Sequence, residues 1–409
     1  MVGEIGGAPG AGGYTGRLFP LIVVVKFSDR LGAPLFAPVF AFGSALVATF
    51  LPALLAVLLG LPTGVTAATV LANTLTVAPV APAASAAALA PASAAPASAA
   101  AATSGATPRP IFVLNSLDAS VSVIDPVSWT ETRRIPTGKE PHHLYLTPDE
   151  KSLIIANALG DSLTFIDPKT AEVQRTVRGV LDPYHLRFSP DMKWFVTAAN
   201  RLNHIDIYRW DGKDMTLAKR IATAKTPSHM WIDSKSTTVY ASMQDSDELV
   251  AVDLATQTIK WRIATGPTPA DVYVTPDDRT LLLGLTGGDS VEVFDVSGKE
   301  PKRMKAIKTG AGAHAFRSAG DKRHVYVSNR VANSISKIDL QTLEVVASIP
   351  APGGPDCMDV SADGKRLMVT SRWARKLTVI DLESKKVIRQ VNVGRSPHGV
   401  WTLEHAPRQ

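Results

Sequence analysis

Alternating apolar and polar residues fill the chain from position 110 onward, and the stretch Val325 to Gly354 shows the pattern in one pass. An alternating run that contains Val327 ends at Asn329, a second run closes on Asp339, and a third ends at a Pro/Gly break. A period of two, with turn residues between the runs, is typical of short antiparallel strands. The pattern therefore predicts an all-β fold.

The same unit recurs along the chain with a nearly constant period. The turn residues that follow the first strand of each unit are 42 to 44 residues apart, and they are Thr147, Ser189, Asp233, Thr275, Ser318, Ser361 and Leu403. A period of about 40 to 45 residues built only from short strands is typical of propeller blades. Each unit contains four strands, of which the outermost is the most polar, so each unit predicts one blade.

The strand count predicts how the propeller closes. Six complete units begin near Pro141, Pro183, Pro227, Pro269, Gly312 and Pro355. The C-terminal part adds only one more strand, Gly399 to Leu403, while three strands between Ile111 and Pro136 precede the first complete unit. We expect these four strands to share a seventh blade, because such sharing closes the ring and hides both sheet edges. The predicted fold is a seven-bladed β-propeller over residues 109–409.

Repeated aspartates end the third strand in nearly every unit. They are Asp125, Asp167, Asp253, Asp295, Asp339 and Asp381. An Asp side chain can accept hydrogen bonds from the backbone two or three residues later, which favours tight turns. We interpret these carboxylates as turn formers, not as catalytic groups.

The first 108 residues have a different composition. Three basic residues before position 31 are followed by an apolar run at 35–61, and no charged residue occurs from 31 to 108. This order is that of a signal peptide, although so long a run also suits an uncleaved membrane anchor. We expect residues 1–67 to be one of the two and the Ala/Pro/Ser-rich residues 68–108 to be a disordered linker. The propeller is then periplasmic or secreted, and attached to the inner membrane if 35–61 is retained.

Charge, cysteine content and motifs exclude several classes of function. The formal net charge of +6 is spread over strands that alternate basic and acidic residues, so no basic stripe indicates nucleic acid. The single cysteine, Cys357, excludes an intramolecular disulfide and a Cys-x-x-Cys metal or haem motif. The propeller region contains no nucleophile elbow, phosphate-binding glycine loop or His-Glu-x-x-His motif.

Six of the nine histidines lie at or beside one repeated position, two residues after the proline or glycine that opens each unit. This position should lie at the mouth of the central channel, and its residues are His143, His185, His229, Asp271, His314, Cys357 and Gly399, with His142 and His398 one position earlier. Imidazole and carboxylate groups are metal donors. The metal-ligand candidates, for copper, iron or a haem, are His143, His185, His229, Asp271, His314 and His398. Hydrogen bonding of these side chains to neighbouring blades is the structural alternative.

The loops between the second and third strands should open on the same face of the propeller. They carry Arg201, Arg330 and Arg372, with Asn157 and Asn329 close by. A guanidinium pairs with a carboxylate through two parallel hydrogen bonds, so these residues are candidates for binding a small anionic ligand or the propionates of a haem. The structural alternative is that each arginine bonds loop carbonyls or acidic rim residues.

Several short segments resemble the YVTN-type β-propeller repeat family. They are Tyr326-Val327-Ser328-Asn329, the Ser/Thr-Pro-Asp-x-Lys turns, the Ser-Val-x-Val-Ile-Asp strands and Pro397-His398-Gly399-Val400. The resemblance implies the fold over about three quarters of the chain. It implies no single function, because similar propellers are binding scaffolds, lactonases and redox domains, including the d1-haem domain of a nitrite reductase and the N-terminal domain of nitrous oxide reductase.

Three functions follow from these observations. The favoured interpretation is a non-catalytic exported scaffold that binds a protein or a small anionic ligand through its channel-mouth face. The first alternative is a metal- or haem-dependent redox protein that uses the histidine ring. The second is a lactonase-like hydrolase, which should place acidic metal ligands on the channel, where only Asp271 fits.

Overall fold

The computed structural model describes residues 109–408. The predicted export segment and linker, 1–67 and 68–108, lie outside the described residues. Within residues 109–408, 28 strands form seven four-stranded antiparallel sheets. The prediction of a seven-bladed all-β propeller is therefore confirmed.

Three strands precede the first complete blade: β1 (Ile111–Asn115), β2 (Ser120–Asp125) and β3 (Thr130–Pro136). Blade 1 consists of β4 (Pro141–Leu146), β5 (Leu153–Asn157), β6 (Ser162–Ile166) and β7 (Val173–Arg178). Blade 2 consists of β8 (Pro183–Phe188), β9 (Trp194–Ala199), β10 (His204–Trp210) and β11 (Met215–Ala222). Blade 3 consists of β12 (Pro227–Ile232), β13 (Thr238–Met243), β14 (Glu248–Asp253) and β15 (Thr258–Ala264).

Blade 4 consists of β16 (Pro269–Val274), β17 (Thr280–Leu285), β18 (Ser290–Asp295) and β19 (Lys302–Lys308). Blade 5 consists of β20 (Ala313–Ser318), β21 (His324–Asn329), β22 (Ser334–Asp339) and β23 (Glu344–Pro350). Blade 6 consists of β24 (Pro355–Val360), β25 (Arg366–Ser371), β26 (Lys376–Asp381) and β27 (Lys386–Asn392). The last strand is β28 (Pro397–Thr402).

The seventh blade is shared between the two ends of the propeller, as the strand count predicted. Its strand order is β28, β1, β2, β3, and Trp401 of β28 lies opposite Phe112 of β1. The two strands come from opposite ends of the described chain, so their pairing closes the ring without a covalent bond. The pairing covers the edge of β1 that would otherwise be open.

The turns after the inner strands are held by side-chain hydrogen bonds. In blade 1 the Thr147 hydroxyl donates to Asp149 and accepts from the Ser152 amide, at 2.7 and 3.0 Å. The aspartates at the ends of third strands also cap turns, because Asp125 accepts from the amides of Val127 and Ser128 at 2.7 and 2.8 Å. The prediction that they are turn formers is confirmed at this position.

Apolar side chains between adjacent blades form the core. Outer strands carry most of the exposed positions, whereas inner strands such as β12 and β16 are buried throughout. This polarity is the reason why the fourth strand of each unit reads as polar in the sequence. We call the face with the turns after the inner strands the turn face, and the opposite face, with the loops between second and third strands, the loop face.

Helical structure in residues 109–408 is limited to two single 3-10 turns, Ser116–Asp118 and Ala158–Gly160. Neither of these turns has the length and apolar character to cross a membrane.

Candidate functional site: a histidine cluster in the channel

Every inner strand is irregular where it passes the channel mouth. In β4, the pairing with β5 moves from Pro141 opposite Asn157 directly to Leu144 opposite Ile155. Register shifts occur at the equivalent place in β8, β12, β16, β20, β24 and β28. A bulge re-aims the side chains within it, so two consecutive residues such as His142 and His143 can both reach the channel mouth.

Six imidazoles meet at this mouth, and we call them the histidine cluster: His142, His143, His185, His229, His314 and His398. The ring of His143 is central, with centroids 4.5, 4.8 and 4.7 Å from those of His185, His229 and His398. His314 joins through His229 at 5.2 Å. His142 stacks between the rings of Tyr184 and His398, at 3.9 and 3.7 Å.

Two imidazoles have their tautomer set by the backbone. The Nδ1–H of His143 donates to the carbonyl oxygen of Tyr184 at 2.7 Å, and that of His398 donates to the carbonyl oxygen of His142 at 2.8 Å. A carbonyl oxygen can only accept, so in both neutral rings Nε2 carries the free lone pair. A ring nitrogen that donates to a carbonyl while the other carries a lone pair is the usual arrangement of a metal-binding histidine.

Burial keeps the cluster uncharged. It lowers the pKa of His143 to about 3 and that of His314 to about 4. Burial, together with the neighbouring imidazoles, also holds the pKa values of His185 and His229 well below the ordinary value. Neutral imidazole is the form that binds metals, so the cluster is in its metal-binding form at neutral pH.

Three buried ring nitrogens of the cluster have no hydrogen-bond partner among residues 109–408: Nδ1 of His185 and Nε2 of His229 and His398. The donor atoms of His142, His143 and His398 all lie within 4.8 Å of one another, and so do those of His314, Asp356 and His398. His398 belongs to both groups. The cluster thus offers two adjoining sets of three donors.

Asp356 is the acidic member of the site. Its carboxylate is fully buried and lies 2.8 Å from Arg330, 3.1 Å from Arg372 and 2.9 Å from Nε2 of His314. Burial acts to raise the pKa of Asp356, but the Arg330 guanidinium and the hydrogen bond from His314 outweigh it and hold that pKa well below its ordinary value. Asp356 is therefore ionised, and Arg330 and Arg372 neutralise it.

Asp271 and Cys357 complete the predicted ring but are not open donors. The oxygens of Asp271 accept from the amides of Val272 and Phe316 at 2.9 and 2.8 Å, and burial raises its pKa to about 6. Burial also raises the pKa of the Cys357 thiol well above its ordinary value, and its sulfur lies 3.5 Å from Nδ1 of His398. The thiol is protonated and weakly nucleophilic at neutral pH.

The three arginines predicted to bind an anion do not lie together in the structure. Arg330 and Arg372 converge on Asp356, as described. Arg201 instead pairs with the buried Asp182 at 2.8 Å and donates to the carbonyl of Ala158. The structure thus does not unite the three arginines around one open pocket on the loop face.

The two predicted asparagines lie inside their blades. The amide of Asn157 donates to the hydroxyls of Ser162 and Thr164 at 3.3 and 3.0 Å. Asn329 makes the same bonds to Ser334 and Ser336 at 3.1 and 3.0 Å. Their amide donors are therefore used within the sheet.

A cavity of about 100 Å³ extends from the histidine cluster along the channel toward the turn face. Six of the seven predicted ring positions line it: His143, His185, His229, Asp271, Cys357 and Gly399. The prediction was wrong by one residue in blade 5, where the strand register places Ala315 on the ring and His314 at the position of His142 and His398. Further along, it is lined by Arg187, Arg317 and Arg408. His142 and His398, on the loop-face side, are 1% and 0% exposed. The free space beside the cluster thus lies within the channel.

Sequence patterns alone missed two residues of the site, Asp356 and Tyr184. Both occupy the repeat position one residue after the opening proline, which is also the position of His142 and His398. That shared position was the available signal. Without the bulges, alternation along a strand predicts that this residue and the next point to opposite faces.

Similar proteins share the fold. A YNCE-like β-propeller family profile matches residues 64–408. A search of curated proteins gave no significant match. A functionally unknown protein from Desulfotomaculum acetoxidans is similar in structure with a TM-score of 0.63 and 15% identity, over 72% of this chain and 98% of that one.

Two similar structures carry named activities. The periplasmic gluconolactonase PpgL of Pseudomonas aeruginosa aligns with a TM-score of 0.63 and 17% identity, over 74% of this chain and 99% of that one. The dihydro-heme d1 dehydrogenase NirN aligns with a TM-score of 0.57 and 18% identity, over 73% and 76%. At such identities the likeness concerns the fold alone. The profile match covers most of the sequence and the whole propeller, so the chain belongs to the YNCE-like β-propeller family.

Proposed function

We propose that this propeller is a binding scaffold whose ligand in the channel is a transition-metal ion held by the histidine cluster. The observation that carries the proposal is the pair His143 and His398. Each donates from Nδ1 to a backbone carbonyl, and each presents Nε2 with a free lone pair inside the channel. Neutral imidazoles suit copper and zinc, and copper(II) binds such nitrogen sites most tightly among the common divalent ions.

The unpartnered nitrogens support a ligand over a purely structural ring. A buried polar atom without a partner costs about 1–3 kcal/mol, so folded proteins rarely contain several in one place. The cluster contains three among residues 109–408. A bound ion would supply partners for several of them at once.

The size of the cavity favours a metal ion over a haem. Pockets for large organic ligands measure about 300–1,000 Å³, whereas the part of the channel that the histidine cluster lines is a cavity of about 100 Å³. Asp271, the acidic residue that a lactonase-like site would need, has both oxygens bonded to backbone amides. For these reasons we propose neither haem binding nor lactone hydrolysis.

The test is a copper(II) titration of the full-length, metal-stripped protein, followed by calorimetry and metal analysis. We expect stoichiometric binding by the wild type and its loss in the double variant His143→Gln, His398→Gln. His324→Gln is the control, because that histidine pairs with Asp321 away from the cluster. Circular dichroism must show that the double variant is folded, and the single variant His185→Gln gives a milder test if it is not. A wild type that binds neither copper nor zinc would overturn the proposal.

We also propose that the protein works outside the cytoplasm, on the evidence of the export pattern in residues 1–67. Fractionation of cells that express the full-length chain tests this proposal. Recovery of the propeller with cytoplasmic proteins would contradict it.

A further inference from the structure

The channel cavity also contains cationic groups that the metal proposal does not use. Its lining includes Arg187, Arg317 and Arg408, which lie beyond the histidine cluster toward the turn face. Arg317 and Arg408 bond to a carboxylate of the protein, whereas Arg187 does not.

Arg317 and Arg408 are engaged with the protein. The guanidinium of Arg317 donates to Asp359 at 2.9 Å and to the carbonyls of Ser318, Ala406 and Pro407. Arg408 donates to Asp359 at 2.7 Å and stacks on Trp401, with its guanidinium carbon 3.7 Å from the ring centroid. Both arginines therefore share the one carboxylate of Asp359.

Arg187 is different. Its Nε donates to the carbonyl of Met230 at 3.0 Å, and this is the one hydrogen bond of its guanidinium among residues 109–408. No carboxylate in that part of the chain lies within ion-pair distance of it. The guanidinium carbon is 4.6 Å from the ring of Trp231 and 5.5 Å from that of Tyr145, so aromatic faces hold it in position. Both terminal nitrogens remain available to a ligand.

The charges around the cavity add up to a positive site. Besides the three arginines, its titratable lining groups are the neutral His143, His185 and His229, the protonated Cys357, Asp271 and Tyr145. Asp359 offsets one of the two arginines that it contacts. Even with Asp271 ionised, three guanidinium groups face two carboxylates, so the cavity favours an anion.

We propose that Arg187 binds a small anion in the channel, beside the metal ion of the histidine cluster. This inference rests on the proposed function, because the metal would take the other end of the anion. The cavity of about 100 Å³ is small for an organic ligand and favours a small anion between Arg187 and the histidine cluster. The class is therefore small monoanions of the size of nitrite, formate or azide.

Access to this site is from the turn face. A groove of about 450 Å³ on that face shares Tyr145, Arg187 and Arg408 with the cavity, and its other walls include Phe188 and Trp231. Arg187 thus lies where groove and channel join. On the loop-face side the channel ends at His142 and His398, which are almost fully buried.

The experiment uses azide as the probe on full-length, copper(II)-loaded protein. Direct binding to copper(II) gives an azide-to-copper charge-transfer band, which is titrated in the wild type, Arg187→Gln and Arg209→Gln. Arg209 is a matched control, because it lies on the same blade and stacks over Trp194 but does not line the cavity. We expect at least a tenfold weaker azide affinity in Arg187→Gln, with copper stoichiometry unchanged, and wild-type affinity in Arg209→Gln.

Equal azide affinity in the wild type and Arg187→Gln would overturn the inference and leave the metal proposal intact. If copper does not bind at all, the proposed function fails, and the anion site is then tested alone in the metal-free protein. There, azide should raise the melting temperature of the wild type but not that of Arg187→Gln. An absent or equal rise in both would overturn the anion site as well.

Discussion

The imidazoles of His142 and His398 lie face to face, with centroids 3.7 Å apart, although 256 residues separate them in the chain. The first belongs to blade 1 and the second to the strand that completes blade 7. The Nδ1–H of His398 also donates to the carbonyl of His142 at 2.8 Å. The closure of the propeller and the assembly of the histidine cluster therefore depend on the same contact.

Removal of the closing strand should destabilise the whole propeller. Deletion of residues 397–409 takes away β28, its pairing with β1 and the buried Trp401. It also exposes the edge of β1, so we expect a large fall in melting temperature and a tendency to aggregate. Thermal unfolding followed by circular dichroism measures the effect, and deletion of Gln409 alone is the control. Equal melting temperatures for both truncations would contradict the closure.

Asp356→Asn should be strongly destabilising. The substitution keeps the shape but leaves Arg330 and Arg372 without their shared carboxylate, and breaking a buried ion pair in this way costs about 3–5 kcal/mol. The matched control is Asp289→Asn, whose partner Lys308 is 84% exposed, and which should cost less than about 1 kcal/mol. Urea unfolding of both variants checks the contrast. Similar losses would mean that Asp356 is not the neutralising group.

The metal-free protein should lose stability in mild acid. Burial depresses the pKa values of His143 and His314 to about 3 and about 4 in the folded state, from 6.5 when unfolded. Below pH 6.5 the unfolded chain binds more protons, so the free energy of unfolding falls as pH is lowered toward these folded-state values. Each unit of pKa depression corresponds to about 1.4 kcal/mol.

Urea unfolding between pH 7 and pH 4 tests this dependence. His314→Gln should flatten the decline, because it removes one of the depressed groups. A free energy of unfolding that is constant over this range would refute the prediction.

Asn329→Ala should lower stability without affecting copper binding. The Asn329 amide donates to Ser334 and Ser336 within blade 5, so its loss removes two buried hydrogen bonds and should cost about 1–3 kcal/mol. Asn392→Ala is a suitable comparison, because that side chain is exposed and its one hydrogen bond among residues 109–408 is to Lys376. Urea unfolding and a copper titration separate the two effects. A change in copper affinity would restore Asn329 as a ligand-site residue.

The sequence by itself determined the fold of this protein. Period-two runs, a constant repeat length and a count of leftover strands predicted seven blades and their shared closure, because strand alternation and turn chemistry are local properties. The repeat position also predicted that His143, His185, His229, Asp271 and Cys357 line the channel mouth, since equivalent positions in a propeller have equivalent places around its axis. In blade 5 it was wrong by one residue, because Ala315 and not His314 occupies that position.

Only the tertiary structure determined how those residues are combined. The bulges that bring His142 and Asp356 to the channel depend on how each inner strand pairs with its neighbour, and alternation along one strand does not report them. Arg201 is separated from Arg330 and Arg372 because it pairs with the buried Asp182, whereas the other two pair with the buried Asp356 of another blade. The tautomers of His143 and His398, and the free guanidinium of Arg187, depend on contacts between blades about 40 or more residues apart. Such contacts are long-range, so chemistry in the channel follows from the packing of the blades and not from the repeat itself.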